Sequence, residues 1–166
     1  MEEIYKRVSI RKFKDKAVEK EKIMDILRAS MQAPSACNQQ PWKFYVVENK
    51  EIIEKLSLVT PYSKCVKNAP VVIVPCYRED NLVAPSFVQI DMAIACENMW
   101  LETTSIGLGG VWIGIAPKED WMKSVHDILN LDDNIKAFSL FAFGYPLEER
   151  KGEDRFKEEN IVFVDL

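Results

Sequence analysis

Residues 86–105 constrain this chain more than any other stretch. They run Ser-Phe-Val-Gln-Ile-Asp-Met-Ala-Ile-Ala-Cys-Glu-Asn-Met-Trp-Leu-Glu-Thr-Thr-Ser, with Asp91, Glu97, Asn98 and Glu102 interrupting a series rich in Val, Ile, Met, Ala, Trp and Leu. A helix that is apolar around most of its circumference needs more than one wall to pack against. No apolar run approaches the ~20 residues of a membrane span, so those walls must be protein. In a chain of 166 residues a subunit interface is a natural second wall, and a homodimer is expected.

Length and composition agree with one globular domain over 1–166, at the usual prior of roughly 100–200 residues per domain. The charged fraction of 29% and net charge of −4 argue against a basic nucleic-acid binder. Cys37, Cys65, Cys76 and Cys96 are widely spaced and form no CxxC pair, so no metal site is expected. The N-terminus is polar and lacks the apolar stretch of a signal peptide. Free thiols and a cytoplasmic setting are therefore expected.

Elements can be read along the chain from periodicity. Ile23, Ile26, Leu27 and Met31 recur at helical spacing, with Glu19 and Glu21 where the helix dipole favours acids. Pro34 should stop that helix. Trp42–Val47 and the run from Val71 read as strands, with a short helix around 50–58 between them. After the long helix, Val111-Trp112-Ile113 reads as a strand, 118–129 as a helix, 136–143 as a strand, and Ile161–Val164 as a last strand. Helices and strands mix without strict βαβ alternation, which gives an α+β fold.

Three segments could carry chemistry. Arg7, Ser9 and Arg11 alternate, so an extended backbone would point two guanidiniums and a hydroxyl one way. Arginine forks suit phosphate and carbonyl oxygens, although a solvated basic N-terminus reads equally from these residues. The loop Pro34-Ser35-Ala36-Cys37-Asn38-Gln39-Gln40-Pro41-Trp42 carries a hydroxyl and three amides, able to meet a ligand that both donates and accepts. Gly107-x-Gly109-Gly110-x-x-x-Gly114 has the look of a nucleotide loop, but a helix precedes it and a strand follows, the reverse of a dinucleotide fingerprint. Its glycines read instead as a helix stop and close backbone approaches, with Gly114 at a strand end where bare N–H groups could meet a ligand.

His126 is the only histidine. It falls opposite Met122, Val125 and Leu129, so a surface role is expected and no Ser-His-Asp triad is evident. With so little acid–base equipment, difficult chemistry should belong to a cofactor.

Taken in order, these segments resemble the nitroreductase family of FMN enzymes. The resemblance covers nearly the whole chain: Arg-x-Ser-x-Arg, Pro-Ser-x-x-Asn-x-Gln-Pro-Trp, the Asp91 helix running into Gly-Leu-Gly-Gly-x-Trp-Ile-Gly, and Gly-Tyr-Pro before a basic tail. It implies a three-layer α+β fold: a central, mostly antiparallel sheet flanked by helices, with a C-terminal strand extension toward the partner subunit. It implies FMN contacts from Arg7, Val8, Ser9 and Arg11, and contacts across the dimer from Pro34, Ser35, Ala36 and Asn38. Backbone contacts to the flavin come from Ile113, Gly114 and Ile115, and Lys64 falls near the pyrimidine ring. In the tail Arg155 matches one phosphate ligand. The other position holds Glu153, which should turn away, leaving Lys151, with Arg150 a poorer replacement.

The resemblance further implies that NADH or NADPH reduces the flavin and leaves, and that a small acceptor such as a nitroaromatic or quinone then takes its place. Arg11 or Lys64 would stabilise the negative charge that reduction places near flavin N1 and O2, and a backbone N–H of Gly114 or Ile115 would lie near N5. Residues 77–86 are too short for a lid, so an open, permissive pocket is expected. The other reading of the same residues is a flavin-binding carrier or redox-sensing protein without efficient turnover.

Overall fold

The computed structural model describes residues 2–164. Its centre is an antiparallel sheet in the order β1-β2-β5-β3, formed by β1 (Trp42–Val47), β2 (Val71–Arg78), β5 (Ser139–Gly144) and β3 (Gly109–Gly114). A short β4 (Ile135–Ala137) pairs with the far end of β2. Strand β2 is apolar without alternation because both of its faces are covered, as a central strand demands. Val72 and Val74 join Leu140 and Ala142 in one core with Ile53, Leu56 and Val125. Val71 and Ile73 join Phe141 and Phe143 in a second core with Ile23, Ile26, Met99 and Trp100.

Those cores define three layers. On one side lie α3 (Lys50–Leu56) and α5 (Glu119–Leu129); on the other lie α2 (Lys20–Met31) and α4 (Val88–Ser105). Local signals set their limits. Asn49 Oδ1 caps α3 by accepting from the N–H groups of Glu51 and Ile52 at 3.0 and 3.1 Å. Helix α4 ends at Gly107, whose φ of +77° is left-handed, and Leu108 N–H donates back to the Thr103 carbonyl at 3.0 Å. That is the helix stop expected of these glycines. Gly109 and Gly110 are the expected close approaches: a Cβ would meet Ile10 and the Phe141 ring, each at 2.6 Å.

The expected strand over 136–143 is broken at Phe138. The β2–β4 and β2–β5 registers differ by one residue, so Phe138 is a bulge. The cause lies opposite. Phe138 N–H donates to the Pro75 carbonyl, but proline has no N–H to return. Phe138's own carbonyl accepts instead from Ile115 and Ala116, at 3.1 and 2.9 Å. The second difference is the tail. Residues 161–164 pair with no strand among the described residues, and Val162 and Phe163 are 80% and 86% exposed. A strand needs a neighbouring ladder, and within the protomer the tail lies along none.

Helix α4 has one well-filled side. Met92 and Met99 are fully buried against the sheet, and Ser30 Oγ on α2 donates to the Ala95 carbonyl at 2.9 Å. Away from the sheet, Phe87 just before the helix and Ile90 within it stay half exposed, as do Met24 and Met31 on α2.

Phe141→Ala should lower stability by about 3–5 kcal/mol, because the ring is fully buried and stacked on Phe143 with centroids 5.6 Å apart; urea denaturation measures it. Burial pushes the Cys76 and Cys96 thiols up to about 12. Both should therefore resist a thiol reagent at pH 8 until the protein is unfolded.

Candidate functional site

Strand β3 is an edge strand, and its free edge collects much of the chemistry anticipated from the sequence. Ser9 forms a parallel bridge to Gly110, and Ile10 N–H donates to the Gly110 carbonyl at 2.9 Å. The N-terminal segment therefore lies along the beginning of β3, and beyond Ile10 it turns to pair Phe13 with Pro146 at the end of β5. Ile10 and Phe13 are the anchors, both buried in the first core, while Arg11 is exposed. Inward apolar residues thus fix a segment whose polar residues point out.

The ladder decides which backbone groups remain free. Ile115 N–H is spent on the Phe138 carbonyl at 3.1 Å. In an antiparallel pair the hydrogen-bonded residues alternate, so Gly114 directs its N–H to the open edge. Of the two donors expected near the ligand, Ile115 is thus committed to the sheet. Ile113 and Ile115 send their side chains into the first core and offer only backbone outward. Gly114 is exposed, has no left-handed φ, and a Cβ there would touch nothing within 4 Å. The other five glycines each have a close neighbour or a positive φ that explains them. Nothing within the protomer requires a glycine at 114; close approach of a planar ligand would.

Two further groups bear on the N-terminal segment. The helical turn Ser63–Asn68 carries Lys64, exposed, and Cys65, half-buried. Burial raises the Cys65 thiol above its usual range and the Arg11 charge opposes that rise, which places Arg11 beside this turn. Ser9 is also held from the tail, since Arg150 Nη1 donates to its carbonyl at 3.1 Å. Arg150 and Lys151 are both exposed.

Arg7 turns the other way. Its guanidinium lies 4.2 Å from the Trp100 ring centroid and its Nε 3.6 Å from Glu97. It also lines a cavity of about 580 Å³ with Ile4, Tyr5 and residues 152–156, so Arg7 and Arg155 face one space. Glu153, expected to turn away, lines that cavity too. Val8 packs on the first core, and Gly152 passes so close that a Cβ there would sit 4.0 Å from a Val8 methyl.

The loop of Pro34, Ser35, Ala36 and Asn38 is elsewhere. Its hydrogen bonds go to Asp91 on α4, to Ala84 and to Arg78, and none reaches Ser9, Arg11 or Gly114. Within one protomer the two halves of the anticipated site are separate. Gln39 and Asp91, both buried, were missing from the anticipated site, although an acid among the apolar residues that open α4 was a signal that could have found them. His126 is partly buried on α5, its Nδ1 3.4 Å from Asp127, away from the β3 edge.

The sequence profile of the nitroreductase family matches residues 4–60 and 57–145. A Methanothermobacter thermautotrophicus protein with the provisional name NADH dehydrogenase/NAD(P)H nitroreductase is 39% identical over 161 residues, covering 97% of this chain and 84% of that one. Among solved structures, a Clostridium acetobutylicum protein provisionally named an NADH oxidase superposes with a TM-score of 0.95 at 44% identity, covering 99% of both chains. An FMN-dependent nitroreductase from Clostridium difficile R20291 superposes at 0.91 with 29% identity, covering 99% of this chain and 98% of that one.

Gly114→Ala should leave stability within about 0.5 kcal/mol of the parent protein. Gly110→Ala should cost about 1–3 kcal/mol, because the Phe141 ring leaves its Cβ no room. Parallel urea titrations of the two variants check the contrast.

Proposed function

This chain belongs to the nitroreductase family, and on that premise we propose that it is an FMN-dependent oxidoreductase. It passes hydride from NADH or NADPH to a small oxidised acceptor such as a nitroaromatic or quinone. The observation that carries the reading is Gly114: an exposed strand-end glycine with open space before it and its N–H on the free edge of β3. The naming of the similar Clostridium difficile enzyme as FMN-dependent supports the choice of cofactor.

The residues present suit FMN. Gly114 offers a bare donor for the polar edge of the ring system. Arg11 and Lys64 bring positive charge to one end of that edge, where reduction of a flavin places negative charge; fixed cations there favour the reduced form without reorganising. Ser9 offers a hydroxyl between Arg11 and the cavity that Arg7 and Arg155 face. Those two guanidiniums suit a phosphate, since forked donors match its oxygens. When bound, FMN supplies the hydride chemistry; the chain orients it and sets its charge environment.

Two copies of the chain complete the site. Pro34, Ser35, Ala36 and Asn38 lie away from the β3 edge of their own protomer, and the uncovered side of α4 and α2 exposes Phe87, Ile90, Met24 and Met31. Pairing through that apolar side would bury it and let the loop of one copy reach the FMN of the other. Residues 79–84 form bends rather than a helix, followed by the single helical turn Pro85–Phe87. The substrate side of the flavin is thus left open, which favours a broad range of acceptors.

The purified protein should be yellow, carry about one FMN per subunit and sediment as a dimer. Anaerobic NADH or NADPH should bleach it, and addition of a quinone should restore the colour. A flavin that stays oxidised with both nicotinamides would move the assignment to a carrier or sensor; a colourless protein that cannot be reconstituted would remove FMN altogether. Arg155→Ala should weaken FMN retention by roughly 1.5–3 kcal/mol through loss of a charged hydrogen bond, measured by fluorescence titration. Unchanged retention would shift the phosphate contact to Lys151.

A further inference from the structure

The buried acid of α4 is so far without a function. Asp91 is 2% exposed, and both of its oxygens are taken by one short segment. Oδ1 accepts from the Ala36 N–H at 2.9 Å and Oδ2 from Gln39 Nε2 at 2.7 Å. A carboxylate is tolerated in such a place only where donors satisfy it.

Gln39 extends the grip. Its amide pairs in both directions with the Ala84 backbone, Nε2 donating to the carbonyl at 3.0 Å and Oε1 accepting from the N–H at 2.9 Å. Arg78 closes the far end, its Nη2 donating to the Gln39 carbonyl at 2.7 Å. The segment held this way has an unfavourable backbone. Cys37, Asn38 and Gln40 have φ values of 51°, 52° and 44°, in the left-handed region that residues with a Cβ enter only when their surroundings over-determine them.

We propose that Asp91, acting through Gln39 and the Ala36 N–H, is a positioning residue for the cofactor site of the other subunit. It holds Ser35–Asn38 in the shape that meets the partner's FMN, so that α4 of each copy sets flavin retention in the site of its neighbour. The inference rests on the reading that FMN binds between two copies. A loop already ordered before the cofactor arrives loses less freedom on binding it, and Asp91 supplies that order. An aspartate is required rather than an asparagine. Both incoming groups are donors, and an amide would offer one acceptor while setting its own N–H against Gln39 Nε2.

The test measures FMN dissociation constants by fluorescence on the dimer, beginning with Asp91→Asn. Retention at least tenfold weaker, in a variant that still sediments as a folded dimer, is expected. Equal retention overturns the clamp and leaves the FMN assignment standing, whereas a parent protein that binds no FMN removes the assignment itself.

Mixed dimers, isolated with two affinity tags, separate positioning across the interface from a general loss of structure. One copy carries Asp91→Asn and the other Arg11→Ala. If the clamp acts on the neighbour's site, one of the two sites has intact elements throughout, and the mixed dimer keeps one tightly bound FMN per two chains. If both sites are weakened, the clamp acts within its own subunit and the proposal is overturned.

Should Asp91→Asn not fold, Gln39→Glu decides. It sets a second carboxyl against Asp91 Oδ2, where the parent has the Gln39 amide at 2.7 Å. FMN affinity relative to the parent should be at least tenfold lower at pH 8 and recover in part toward pH 5.5, where a proton shared by the two carboxyls restores the hydrogen bond to Asp91 but not the one to the Ala84 carbonyl. A ratio to the parent that does not change with pH overturns the clamp.

Discussion

Helix α4 has to satisfy two apolar surfaces with one rod, and much of the molecule follows from that. Its sheet side closes the second core, where Met99 and Trp100 meet Phe141 and Phe143, and its flank takes α2 through the Ser30 hydroxyl and the Asn98 amide. What remains, around Ile90 and Phe87, is more apolar area than a lone protomer can cover. The packing that makes the fold also leaves the surface through which two copies would meet. One buried acid on this rod holds the loop that such a meeting would deliver.

The β3 edge depends on a smaller constraint. An edge strand with unpaired N–H groups invites other chains unless something covers it. Here Ser9 and Ile10 cover the beginning of β3, pinned by Ile10 and Phe13 in the core. Gly114, at the far end, is left open. A stabilising device for a sheet edge and a placement device for two polar side chains are the same segment.

Much of the architecture was legible because burial periodicity is strong here. The runs at 42–47 and 71–74, the helix of 86–105 and the glycine stop at 107 all follow from side chains that must face a core or from a backbone that only glycine adopts cheaply. The bulge at Phe138 was less legible, although its cause, Pro75 without an N–H, is in the sequence; one must know that Phe138 lies opposite. The tail's β-branched content suggested a strand that the protomer alone does not form, since propensity says nothing about which ladder is available. Which of Gly114 and Ile115 keeps a free N–H was not legible, because hydrogen-bond alternation depends on register. That Arg150 returns to the Ser9 carbonyl was not legible, because spacing along the chain does not show it.

The sequence by itself determined that two-sided burial was needed, that the family motifs stand in order, and that polar residues cluster at Arg7–Arg11, Pro34–Gln40 and Gly114. These are local facts, set by side-chain chemistry and short-range periodicity. Tertiary structure decided which of those residues share a surface. It brought Ser9 to the edge of β3, the strand that ends at Gly114, and Arg7 and Arg155 to one cavity. It sent the Ser35–Gln40 turn to α4 instead, where Asp91 and Gln39 hold it. Such meetings join residues more than fifty positions apart, and only packing of the sheet and helices fixes them.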